Sequence, residues 1–183
     1  NKESAKLFES ALEDNLPLEY KIHSYLRLAI IAINDNEIER AEVFIDLAEK
    51  ADSEHPDVLY LKTILHAAKK ENTPALEVIT KLMNNWIKSK FKSSFGIHLD
   101  DLLVVTADLL RDEQDLESAN QVYTEALKYN PDNFYACYGA GMCFLTAGID
   151  DEALNMFEWS LRINPDFDKA KLAISKIKGK SNN

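Results

Sequence analysis

Proline and glycine are scarce, at five of each in 183 residues. An all-β fold needs turn residues every few positions, so the shortage excludes a sandwich or barrel and permits long helices. Long hydrophobic runs are lacking too. No stretch approaches the roughly 18–20 apolar residues of a membrane span, and the N-terminus has no basic-then-apolar secretion signal. Positive charge is in short supply: 21 Lys and Arg stand against 31 Asp and Glu, a net charge of −10. Phosphate backbones and anionic lipid surfaces both demand bare cations, so nucleic-acid binding is excluded as a whole-molecule function and membrane-surface binding is disfavoured. What the chain has is apolar content, 46% of its residues, enough at this length for a core of its own. The expectation is a single all-α domain over residues 1–183.

Only two cysteines occur, Cys137 and Cys143. Six positions apart on one helix they stand about 240° from each other around the axis, too far apart to form a disulfide. They are expected to be buried, reduced thiols. That points to a reducing compartment, the cytoplasm, and leaves a periplasmic or surface-exposed destination open. Asn1 is no natural start residue, so the chain is expected to have been excised from, or processed out of, a longer one.

The chain repeats itself. Asn130-Pro131-Asp132 recurs 34 positions later as Asn164-Pro165-Asp166, and the same offset pairs Ala119 with Ala153, Tyr123 with Phe157, Ala126 with Ser160 and Leu127 with Leu161. Upstream, Tyr25, Leu28, Ala29, Ala41, Ile45 and Ala48 hold the same offsets, and Leu59, Ala75, Ile79 and Leu82 form a degenerate unit that departs from the pattern at Lys62, Thr63 and His66. The alanines at 41, 75, 119 and 153 are spaced by 34, 44 and 34, so an insertion of ten residues separates the second and third units. Cys137-x-x-Ala140-Gly141-x-x-Phe144, followed by Ala153-x-x-x-Phe157 and Pro165, resembles the tetratricopeptide-repeat pattern Trp-x-x-Leu-Gly-x-x-Tyr, Ala-x-x-x-Phe, Pro. Leu103-x-x-Thr106-Ala107-x-x-Leu110, with Ala119, Tyr123, Ala126 and Pro131, resembles the preceding repeat. The match is densest over 100–166.

This resemblance implies a right-handed superhelical array of antiparallel helix pairs. The expected repeats are 20–54, 56–90, 100–131 and 134–165, with a partial repeat over 1–16, an insertion over 91–99 and a capping helix over 167–178. Packing explains the pattern. Small residues at 107, 141, 119 and 153 let helix backbones approach where they cross, while Tyr123 and Phe157 fill the space beside them. One hairpin cannot bury both its faces, so neighbours supply the core. Pro131 and Pro165 end helices, and Thr73-Pro74 and Asp150-Asp151-Glu152 begin them.

Enzyme signatures are absent. The glycines form no phosphate loop or nucleophile elbow, and the four histidines and two cysteines make no metal-ligand spacing. His66 reads as a satisfied packing residue, and Asp112, Glu113, Asp115 and Glu117 as a solvated turn without the ligand alternation of a calcium loop. The chain is therefore read as a non-catalytic protein with no cofactor.

The family resemblance further implies that the first helix of each repeat lines a concave groove through its second, fifth, ninth and twelfth positions. Carried over, those positions include His23, Leu26, Asp57, Tyr60, Ile64, Asp101, Val104, Asp108, Tyr135, Tyr138, Met142 and Leu145. Leu26, Ile30, Leu61, Asp101 and Val105 stand where the carboxylate-clamping branch of the family has Lys, Arg and Asn, so that specialisation does not carry over. An apolar groove with an acidic middle suits an extended or helical partner segment bearing Lys or Arg. The leading reading is thus a protein- or peptide-binding scaffold, an adaptor or chaperone-like module. The alternatives are a self-assembling scaffold, docking copies through Ala5, Phe8 and Leu12, and a regulatory repeat region of a larger enzyme. A secondary contact is read at the insertion, where Trp86, Lys88, Lys90, Phe91 and Lys92 make a basic, aromatic island that either meets an anionic partner or lipid headgroups or packs its aromatics on the next repeat with its lysines in water.

Overall fold

The computed structural model describes residues 17–89, 93 and 95–180. Within them lie nine helices and no strand: α1 (Leu18–Asn34), α2 (Ile38–Ala51), α3 (Pro56–Ala68), α4 (Asn72–Ser89), α5 (Leu99–Asp112), α6 (Leu116–Tyr129), α7 (Phe134–Thr146), α8 (Asp150–Ile163) and α9 (Asp168–Lys180). The fold is an all-α helical repeat, as the resemblance implies. The expected helix over 1–16, with Ala5, Phe8 and Leu12, lies outside the described residues.

Every hairpin turns in the same way. The chain leaves the first helix through a left-handed residue, at Asn36 (φ 60°), Lys70 (φ 60°), Gln114 (φ 65°) and Gly148 (φ 77°). The next residue's N–H reaches back to close the helix end, as from Glu37 to Ala32 O and from Ile149 to Phe144 O. These four positions follow the 34, 44, 34 spacing of the alanines. The helix crossings keep the same beat: Ala41, Ala75, Ala119 and Ala153 are wholly buried, as are Ala48, Leu82, Ala126 and Ser160. Between them sit the large fillers Ile45, Ile79, Tyr123 and Phe157. Burying each contributes about 1.5–3 kcal/mol of transfer free energy.

Three of the second helices stop at an Asx turn. The side chains of Asp52, Asn130 and Asn164 accept the N–H two residues on, from Glu54, Asp132 and Asp166, at 3.0, 3.1 and 3.2 Å. The fourth has Trp86 at that position and no such acceptor, so α4 runs on to Ser89.

Contacts divide the chain into two compact units, Asn1–Gly96 and Ile97–Asn183. In the first, Leu26, Ala29, Ala32, Ala41, Ile45, Val58 and Leu61 make the core of α1, α2 and α3. Ion pairs from Lys62 to Glu49 (2.6 Å) and from Lys69 to Glu42 (2.5 Å) tie α3 to α2. Lys62, Thr63 and His66, the departures from the repeat pattern, are all accommodated. Thr63 is buried with its hydroxyl donating to Leu59 O at 3.0 Å, and His66 Nδ1 lies 2.7 Å from Glu71 Oε2. In the second unit α5 to α8 form two hairpins, and α9 closes the end with Ala170, Ala173 and Ile177 packed on Ala153 and Phe157.

Candidate binding surfaces

The first helices of the second unit, α5 and α7, pack side by side. The residues expected to line a groove there all reach the surface in part: Asp101, Val104 and Asp108 on α5, and Tyr138, Met142 and Leu145 on α7, are half-buried. Tyr135 is 54% exposed. Its ring is held in an aromatic cluster, 4.1 Å from Phe134 and 5.5 Å from Phe167, which also touches Tyr138 at 5.1 Å between centroids. Phe167 belongs to the turn before α9, so part of this patch packs against the chain itself.

The acidic middle of that surface is engaged from within. Asp101 accepts the His98 N–H at 2.8 Å and so caps α5. Asp108 accepts the Tyr123 hydroxyl at 2.5 Å and the Arg111 guanidinium at 2.8 Å, and Arg111 donates to the Tyr123 oxygen at 2.7 Å. Burial together with the Asp108 carboxylate drives the Tyr123 phenol far above its ordinary range. Burial works against the Arg111 charge, but the Tyr123 hydroxyl, Asp108 and Asp112 more than offset it, so the guanidinium stays fixed as a cation. The carboxylates expected to recruit a partner's Lys or Arg thus already have donors of their own.

In the first unit Tyr60 and Ile64 on α3 are half-buried, and Tyr60 packs against the core of α1 and α2. Leu26 and Asp57, expected in the groove, have no exposed surface and belong to the interior instead. The Ser93 hydroxyl lies on Asp57, and Leu26 sits in the core of α1, α2 and α3 with Phe95 packed against that cluster. Of the basic, aromatic island, Trp86 is half-buried on α4 and Lys88 falls in its last turn, while Lys90, Phe91 and Lys92 lie outside the described residues. Lys81 pairs with Glu54 at 2.6 Å.

Cys137 and Cys143 are free and buried, with burial pushing the Cys137 thiol up to about 11 and the Cys143 thiol upward as well. Among the described residues no three His, Cys, Asp or Glu gather to hold a metal ion. In the acidic turn, Asp115 accepts the Ser118 N–H at 3.1 Å and caps α6. No helix of the described residues is long and apolar enough to cross a membrane.

Sequence reasoning missed three features. Asp100 is buried and accepts Asn130 and Asn133 side-chain amides, each at 2.8 Å, locking the turn before α7. The doubled Asp100-Asp101 was a signal for it: one carboxylate faces in and the other caps. Gly139 seats the Tyr123 ring, and the run Gly139-Ala140-Gly141 was the cue. Two clefts of about 430 and 380 Å³ also share Phe144 and Asn120, the first lined further by Leu116 and Ile149, the second by Met156 and Trp159.

Hairpins repeating at intervals of 34, 44 and 34 residues, with small residues at each crossing and partly exposed aromatics on the first helices, define a helical-repeat scaffold. Residues 110–177 match the family model for the tetratricopeptide repeat. Over that stretch the chain is similar to the tetratricopeptide-repeat family, whose members serve in general as platforms for protein–protein interaction. The RNA polymerase-associated protein CTR9 of Caenorhabditis elegans is 28% identical over 126 residues, which are 66% of this chain and 11% of the relative. This chain therefore spans only a small part of that protein's length. Among solved structures, YrrB, a TPR protein with an unusual peptide-binding site, superposes with a TM-score of 0.63 at 23% identity, covering 98% of this chain and 86% of its own. The pilF protein of Pseudomonas aeruginosa gives 0.72 at 18% identity over 90% of this chain and 71% of that one. At these identities the likeness establishes the fold.

Proposed function

We propose that the chain is a non-catalytic scaffold that holds an extended or helical segment of a partner protein on the α5–α7 surface, with Tyr135 and Tyr138 as anchors and Val104, Met142 and Leu145 around them. The observation that carries this reading is the 54% exposure of Tyr135 within a cluster that already fixes its ring. An aromatic side chain ordered before binding loses little entropy on contact, and it offers both apolar area and a hydroxyl. Because Asp101 and Asp108 have internal donors, apolar anchoring outweighs recruitment of a basic partner. The peptide-binding site named for YrrB supports the class of ligand, though not its sequence.

The test is selection of binding peptides from a random displayed library, followed by affinity measurement against Tyr135→Ala and Tyr138→Ala. Each change should weaken binding by roughly tenfold or more, the loss typical of truncating an aromatic anchor. Affinities unchanged in both variants would remove this surface from consideration.

A further inference from the structure

The first unit holds something the repeat pattern does not require. Three of the connections between successive hairpins or to α9 use four residues, 52–55, 130–133 and 164–167, whereas the connection from α4 to α5 runs over 90–98. Two of its residues return to the first unit. Ser93 donates its hydroxyl to the Oδ1 of Asp57 at 2.5 Å, and Asp57 stands at the start of α3 with no solvent exposure. A buried carboxylate depends on donors, and an O–H to a charged acceptor is among the stronger hydrogen bonds. The Ser93 oxygen also accepts the Phe95 N–H at 3.0 Å, a local turn that fixes where the ring two positions on must lie. That ring packs against the core of α1, α2 and α3, and the Arg27 guanidinium lies 4.7 Å from its centroid.

A buried acceptor on one helix, a cation on another and an apolar floor between them are three features of a receptor. We propose that the first unit carries a second binding site, selective for a hydroxyl residue two positions before an aromatic one, and that Ser93 and Phe95 fill it in cis until a partner segment of that chemistry displaces them. Displacement is open because the hold is partial: Phe95 is half-buried and Arg27 is exposed. A segment arriving in trans competes against an occupant tethered at an effective concentration on the order of millimolar. Weakening the tethered occupant should therefore unmask the site. This site is independent of the α5–α7 surface.

The probe is a fluorescein-labelled peptide of residues 90–98 of this chain, followed by polarisation against the whole protein. Phe95→Ala empties the apolar floor, and Ser93→Asp sets a second carboxylate against Asp57; both changes lie in a connection rather than in a helix. Each variant should bind the peptide at least about tenfold more tightly than the unaltered chain does, since occupancy in cis lowers apparent affinity by the unfilled fraction. A peptide with alanine in place of Phe95 should bind none of them, and adding Arg27→Ala to Phe95→Ala should weaken the gain. Tyr138→Ala should leave this binding untouched, which separates it from the function proposed above. Equal affinity for all three chains, or binding to none, would overturn the proposal. So would a dimer of the unaltered chain that Phe95→Ala dissolves, since the two residues would then belong to a neighbouring copy.

Discussion

The Tyr123 ring lies over Gly139, so close that a methyl group added there would stand 2.2 Å from its Cζ. A residue of α6 in one repeat thus fills the space left by a glycine on α7 of the next, and in doing so carries its hydroxyl to Asp108 and Arg111 on α5. One glycine links packing to the polar cluster under the proposed binding surface.

Gly139→Ala should therefore destabilise the second unit by about 2–3 kcal/mol, the upper range for overpacking a rigid core. The neighbour that must yield is a wholly buried ring rather than a flexible chain end. Urea denaturation measures the loss. Gly96→Ala, where nothing lies within 4 Å of the added methyl, tests strain at a positive φ without the clash.

Asp108→Ala should cost about 1–3 kcal/mol, because it leaves a partly buried guanidinium and a buried hydroxyl without their shared acceptor. Asp101→Ala removes only a cap at a helix start and should cost roughly 0.5–1 kcal/mol. Comparable losses in the two variants would contradict an internal role for Asp108.

Gln114→Gly should stabilise the protein by roughly 0.5–1 kcal/mol, since a left-handed residue with a Cβ is strained and glycine is not. Gly148 already holds the corresponding turn of the following repeat. A raised thermal midpoint checks this, and Lys70→Gly should behave alike.

Alkaline stability follows from the buried thiols and phenol. Burial pushes the Cys137 thiol up from its ordinary 9.0 to about 11 and raises Cys143 and Tyr123 too. A group whose folded pKa exceeds its unfolded value contributes stability that is complete below the unfolded value and is lost as pH climbs through the folded one. The urea midpoint should therefore show no loss from these groups up to about pH 9 and then fall toward pH 11. Cys137→Ala should make that fall shallower; an identical slope would show that the thiol is not protected.

How much of this was legible depends on the range of the interaction concerned. The helices, their hairpin pairing and the buried stripe of small residues follow from spacing, because a residue that must fit at a helix crossing recurs whenever the crossing recurs. Thus Ala119 and Ala153 announced themselves, and so did the turns at Asn130 and Asn164. The candidate surface was legible only in outline. Tyr135 and Tyr138 could be placed on the first helix of a repeat, yet no periodicity says that Phe167 leans on them or that Leu26 and Asp57 are sealed inside.

The amino-acid sequence alone determined the class of fold, the beat of 34 residues and its one interruption, since these rest on local propensity and on steric needs repeated along the chain. Only the tertiary structure decided which charges remain for a partner. Tyr123 of α6 meets Asp108 and Arg111 of α5 through close packing, as Ser93 meets Asp57, 36 positions away. Such pairings occur once, and a contact that does not repeat leaves no period to read.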